Sequence, residues 1–141
     1  MKVIIAAAGT GGHINPGIAI ANVIKKHNPD AEITFVGTPR GLENDLVPRA
    51  GYKLKTIEAY GIKRKISFSN FKNACKTLKS YKTAKNIIKE IKPDIVIGTG
   101  GYICGPVFSN AFKYCIPTLI HESNAFPGVA VKVLSKKVNT V

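Results

Sequence analysis

The tetrapeptide Gly-Thr-Gly-Gly occurs twice in this chain, at 9–12 and 98–101, each time after a short apolar run and before a proline. Short apolar runs bounded by glycine read as strands buried on both faces, the kind found in parallel sheets covered by helices on each side. The first run, Lys2–Ala8, leads through Gly9-Thr10-Gly11-Gly12-His13 to Asn15-Pro16. That order predicts a helix with Asn15 as N-cap and Pro16 at its first position, where a missing N–H costs nothing. The second run, Ile95–Gly98, leads through Thr99-Gly100-Gly101-Tyr102 to Pro106. A glycine turn between a strand and a helix N-terminus offers an anion backbone amides, the positive end of the helix dipole and room for close approach. Two such turns at the carboxyl edge of one sheet predict a cleft for a diphosphate or sugar phosphate. For the first loop taken alone, the alternative is a structural turn in which His13 only caps or packs.

The rest of the chain keeps the same alternation. Further strands are predicted at Ile33–Gly37, Lys53–Ile57 and Thr118–His121, with a start at Val138–Val141; helices are predicted at Pro16–His27, Gly41–Ala50, Ser69–Ile91, Pro106–Tyr114 and Pro127–Ser135. This pattern implies an α/β fold, a Rossmann-like doubly wound parallel sheet, and residues 1–141 form one domain long enough to bury a core. Two nucleotide-binding classes are disfavoured. The second strand runs into Gly37-Thr38-Pro39 without the acidic residue that would hold a dinucleotide ribose, and no Lys-Ser or Lys-Thr pair follows the first loop as a P-loop requires.

A third polar cluster, His121-Glu122-Ser123-Asn124, ends the strand at Thr118–His121 and precedes Pro127. Taken together, Gly-Thr-Gly-Gly-His-x-x-Pro, Gly-x-Gly-Gly-Tyr-x-x-x-Pro and His-Glu-x-Asn, in this order and spacing, resemble the amino-terminal domain of the MurG glycosyltransferases over essentially the whole chain. That family transfers N-acetylglucosamine from UDP-N-acetylglucosamine to undecaprenyl-pyrophosphoryl-muramyl-pentapeptide during peptidoglycan biosynthesis. The resemblance implies the N-terminal half of a two-domain glycosyltransferase B fold, its UDP-sugar-binding C-terminal domain lying outside this sequence. Alone, such a domain is expected to bind better than it catalyses.

The resemblance also distributes roles. The chemistry is inverting displacement, which needs a base for the acceptor hydroxyl and positive dipoles for the departing diphosphate. His13 and Glu122 are both candidate catalytic bases. Thr10, Gly11, Gly12 and Asn124 are expected on the donor, and Gly100, Gly101 and Tyr102 on the acceptor diphosphate. The family often has glutamine where Ser123 stands, which leaves that position without an assigned role.

Charge adds a surface. Lysine and arginine outnumber aspartate and glutamate by 21 to 8, and 12 of the bases fall within 53–92. Ile62, Ile66, Phe68 and Phe71 interleave with Lys63, Arg64, Lys65 and Lys72, which suits an anionic membrane surface, as does a lipid-linked acceptor. Phe71, Cys75, Leu78, Ile88 and Ile91 are expected to form the apolar side of the helix, with its lysines on a solvated face. Nucleic acid is disfavoured as a partner because few aromatics accompany the bases and no recognition motif appears. No apolar run reaches the roughly 20 residues of a bilayer span, no secretory signal opens the sequence, and the three cysteines lack paired spacing. Cys75 and Cys115 are expected to pack as small apolar groups on helices. The expected location is the cytoplasmic face of the membrane, peripherally attached, with no cofactor and no metal. A noncatalytic membrane-recruitment subunit, paired with a separate nucleotide-sugar-binding chain, is the competing reading.

Overall fold

The computed structural model describes residues 1–59 and 69–141, with the backbone alone over 69–77. Five strands form one parallel sheet: β1 (Lys2–Ala7), β2 (Glu32–Gly37), β3 (Lys53–Thr56), β4 (Ile95–Gly100) and β5 (Thr118–Ile120). Five helices connect and follow them: α1 (Gly11–His27), α2 (Glu43–Arg49), α3 (Ser69–Ile91), α4 (Cys104–Lys113) and α5 (Val129–Leu134). The strand order is β3-β2-β1-β4-β5. Progression reverses between β1 and β4, and in open α/β sheets such a switch point opens a crevice at the carboxyl edge. The two glycine motifs lie at the carboxyl ends of these adjacent strands, the first after β1 and the second overlapping the last residues of β4, which runs two residues beyond the expected Gly98.

Alternation along β1 explains its burial on both faces. Val3, Ile5 and Ala7 join a core with Ile14, Ala21, Phe35 and Val47, whereas Ile4 and Ala6 join one with Ile88, Val107, Phe108 and Ile120. Successive side chains leave a strand on opposite faces, so one continuous apolar run serves both layers. The expected sixth strand is reduced to a single parallel bridge between Leu119 and Thr140.

Two packing expectations are corrected. Leu78 is 72% exposed, while Ser80, Ala84, Ile87 and Ile88 carry the buried side of α3. At 3.6 residues per turn, Leu78 sits roughly 120° round the helix from Ala84. Cys115 is exposed and lies beyond α4 at φ +53°. It closes the helix in a Schellman arrangement: the Ile116 amide donates to the Ala111 carbonyl at 3.0 Å and the Cys115 amide to Phe112 at 3.1 Å.

Candidate active site

The first glycine loop turns earlier than its proline suggests. Gly9 adopts φ +97°, Thr10 is extended as the N-cap of α1, and the Thr10 carbonyl accepts from the amides of His13 (3.0 Å) and Ile14 (3.1 Å). The helix therefore starts at Gly11, not at Pro16, and Asn15 is an interior residue. Gly11, Gly12 and His13 form the first turn; the His13 amide is taken up by Thr10, while the amides of Gly11 and Gly12 precede the first bond of the helix, the position at which a helix N-terminus offers donors to an anion. Pro16 is tolerated inside because the carbonyl it leaves unbonded, that of Gly12, accepts the Ser123 hydroxyl at 3.3 Å. The next carbonyl, that of His13, accepts the Thr99 hydroxyl at 2.6 Å. Each of the other two motifs thus supplies one hydroxyl to the first turns of α1.

His13 is half-buried, and its Nδ1 lies 3.1 Å from the Ala8 carbonyl oxygen. A carbonyl only accepts, so Nδ1 carries the hydrogen and Nε2 is the basic nitrogen of the neutral ring. The second loop is shaped around this ring. Gly100 (φ +122°) lies directly against it, and a Cβ there would fall 2.7 Å from His13 Nε2. A Cβ on Gly101 (φ +88°) would fall 2.8 Å from the Ala8 carbonyl oxygen. Although the two tetrapeptides are identical, their conformations differ: β4 continues through Gly100, whereas Gly11 and Gly12 are helical. Tyr102, 43% exposed, borders a groove of about 210 Å³ with Thr38, Arg40, Glu58 and Ala59.

In the third motif, the Glu122 carboxylate organises its own loop. Oε1 accepts from the Asn124 amide (2.9 Å) and the Asn124 side-chain nitrogen (2.7 Å), and Oε2 accepts from the Gly128 amide (3.0 Å). The Asn124 and Gly128 amides hold its pKa below the ordinary carboxylate value against a small rise from burial, with lesser help from the Asn124 side chain and the charge of His13. Glu122, Asn124, Val131 and Lys132 border a wider, mainly apolar cavity of about 750 Å³.

The sequence reading missed Glu43. The residue is fully buried; Oε1 accepts from the amide and the hydroxyl of Thr38, both at 2.7 Å, and Oε2 accepts from the Gly9 amide at 3.1 Å. A side chain on Gly37 or Gly41 would overlap this carboxyl group, so two glycines are committed to housing it. Burial acts to raise its pKa, but the Thr38 amide and hydroxyl, with further amides including that of Gly9, outweigh burial and hold it low. In the string Gly41-Leu42-Glu43-Asn44-Asp45 it is indistinguishable from a surface helix residue. Only the glycines at 37 and 41 hint at something bulky between them. Cys104, also buried, donates weakly toward Ala6 and Gly100 carbonyls, and burial pushes its thiol up to about 12, a structural rather than nucleophilic state.

Ile62, Lys63, Arg64, Lys65, Ile66 and Phe68 lie outside the described residues, as do the side chains of Phe71 and Lys72. Among the described residues no group of three or more His, Cys, Asp or Glu side chains gathers as a metal site would, and no helix is long and apolar enough to cross a membrane.

The fold and its site define a class: a Rossmann-like α/β domain in which two glycine-rich segments, one after β1 and one at the end of β4, meet around a histidine. Within that class the chain belongs to glycosyltransferase family 28, whose N-terminal domain matches residues 3–141. Over all 141 residues it is 57% identical to the UDP-N-acetylglucosamine--N-acetylmuramyl-(pentapeptide) pyrophosphoryl-undecaprenol N-acetylglucosamine transferase of Thermoanaerobacter sp. (strain X514), covering 39% of that protein. It is 54% identical to the protein of the same name from Clostridioides difficile (strain 630), again over the whole chain but only 34% of the relative. The crystal structure of Acinetobacter baumannii MurG superposes with a TM-score of 0.84 at 33% identity, covering 98% of this chain and 39% of that one. The chain thus spans well under half the length of the relatives it matches.

Proposed function

We propose that this chain is the acceptor-binding, membrane-facing half of an inverting N-acetylglucosaminyltransferase of the glycosyltransferase B fold, acting in peptidoglycan biosynthesis. Its donor is UDP-N-acetylglucosamine, held mainly by a C-terminal domain. Its acceptor is undecaprenyl-pyrophosphoryl-N-acetylmuramyl-pentapeptide. The observation that carries this reading is the tethered His13: its Nδ1 is committed to Ala8 and its Nε2 lies against Gly100 of the second glycine motif.

The chemistry is a single displacement. The muramyl 4-hydroxyl oxygen forms a bond to the anomeric carbon, its proton passes to His13 Nε2, and the bond from that carbon to UDP breaks with the electron pair leaving on the diphosphate. Thr10, the Gly11 and Gly12 amides and the α1 dipole stabilise that charge where it develops. Gly100, Gly101 and Tyr102 cradle the acceptor diphosphate, and Asn124 contacts the donor. Glu122 is favoured less as a base, because both its oxygens already accept hydrogen bonds and its pKa is lowered. Basic and apolar side chains among Ile62, Lys63, Arg64, Lys65, Ile66, Phe68, Phe71 and Lys72 hold the domain peripherally on an anionic, cytoplasmic membrane face, supported by their composition alone.

The test is transfer of labelled N-acetylglucosamine from UDP to the lipid-linked acceptor by the two-domain enzyme on anionic vesicles. Transfer with inversion at the anomeric carbon is expected. Vesicle binding without any transfer, even with the donor domain present, would overturn the enzymatic reading in favour of a recruitment subunit.

A further inference from the structure

Gly9 N–H and Ala8 C=O belong to one peptide group, and the two ends of that group are engaged by the two most constrained ionisable side chains near the site. On one edge the Ala8 oxygen accepts from His13 Nδ1 at 3.1 Å. On the other, the Gly9 amide donates to Glu43 Oε2, also at 3.1 Å. We infer that Glu43 is the positioning carboxylate of His13, acting through the Ala8–Gly9 peptide group rather than by direct contact. The inference rests on His13 being the proposed base.

The physical case has three parts. A planar peptide conjugates its N–H with its C=O, so a negative charge accepting from the N–H makes the oxygen a stronger acceptor, and hydrogen bonds in a chain polarise one another. The enhanced oxygen stabilises Nδ1–H most when the ring becomes an imidazolium, which is the state reached after it takes the acceptor proton. The geometry is also fixed from both sides. Gly37 and Gly41 admit the buried carboxyl group, while Gly101 leaves the Ala8 oxygen uncovered by a side chain. Thr38, which accounts for Oε1, anchors the carboxylate so that Oε2 stays on Gly9. Among the described residues Glu122 is a further charged group in this environment, its own carboxylate feeling His13. A direct carboxylate–imidazole pair would achieve the same tautomer, but here the carboxylate is fully buried and reaches the ring only through the Ala8–Gly9 peptide group.

The experiment uses the two-domain enzyme, with ¹⁵N-labelled histidine and glycine, in wild type, Glu43→Gln and Thr38→Val. Glutamine carries no charge and keeps a single acceptor oxygen, so it can accept from Gly9 only by turning its NH2 toward Thr38, the partner that Thr38→Val perturbs separately. Losing the carboxylate charge should move the His13 titration midpoint down in pH, the direction Coulomb's law gives for removing a negative charge one peptide group away. The acid limb of kcat/KM should move down in pH by the same amount, with kcat at neutral pH falling about tenfold and donor KM nearly unchanged. Thr38→Val should cost stability yet leave the His13 titration within a few tenths of a unit. In the wild type, the Gly9 amide proton should titrate with the midpoint of His13, a readout that survives if Glu43→Gln fails to fold. An unshifted His13 in Glu43→Gln, or a Gly9 amide blind to the His13 titration, overturns the relay. If instead the His13 pKa moves as expected but His13→Ala keeps full activity, the relay stands and the assignment of the base fails.

Discussion

Replacing Gly100 by alanine should dislodge His13, and the size of the effect can be worked out from the structure. Two terms add. The backbone is at φ +122°, where a Cβ is strained, at a cost of about 1–3 kcal/mol. The new Cβ would also stand 2.7 Å from His13 Nε2, so the ring must swing away and give up its bond to Ala8, a further ~1 kcal/mol. Alanine stiffens the unfolded chain and returns about 0.4–1 kcal/mol, leaving a net loss of about 1–3.5 kcal/mol. Gly51→Ala is the matched control: it also has positive φ, +82°, but nothing lies within 4 Å of its Cβ. Denaturant unfolding of both variants, with the His13 ring resonances followed by NMR, separates the backbone term from the contact. Equal losses in the two variants with an unmoved His13 would refute the claim that the second loop is shaped around the imidazole.

Three further outcomes are expected. Ser123→Ala removes the hydroxyl that bonds the Gly12 carbonyl Pro16 leaves free, so denaturant melts should show a loss of about 0.5–1.5 kcal/mol and the donor KM should rise. Cys115→Gly relieves a left-handed residue at the end of α4 and should raise stability by about 0.5–1 kcal/mol in the same assay. Because the folded Glu43 pKa is depressed, its contribution is intact above the unfolded value of about 4.3 and is lost as pH falls through the lower folded value; unfolding free energy against pH should drop in that window for wild type and less for Glu43→Gln.

What could be read from the residues was what depends on local pattern. Apolar runs and the turn residues between them located all five strands within about two residues, and the recurring Gly-Thr-Gly-Gly pointed to two neighbouring loops because their strands pair across the switch point. The start of α1 escaped because Pro16 is a strong first-position signal, yet the turn made by Gly9 and Thr10 initiates the helix sooner and Ser123, distant in sequence, accepts the consequence. Leu78 was misassigned since a lysine-rich helix allows more than one apolar stripe, and only contact with α4 selects Ala84 and Ile87. Glu43 was illegible for a similar reason. Its burial depends on a Thr38 turn and a Gly9 amide brought from another strand, neither of which leaves a periodicity.

The central claim, that His13 takes the acceptor proton, is tested most directly by chemical rescue of His13→Gly in the two-domain enzyme. The account predicts a fall in kcat of about 10²–10⁴ with substrate KM values little changed, and partial recovery when free imidazole is added, following the imidazole's own pKa. A kcat within a few-fold of wild type, or a deep loss that imidazole leaves untouched while Glu122→Gln is equally inactive, would contradict it and move the base to Glu122.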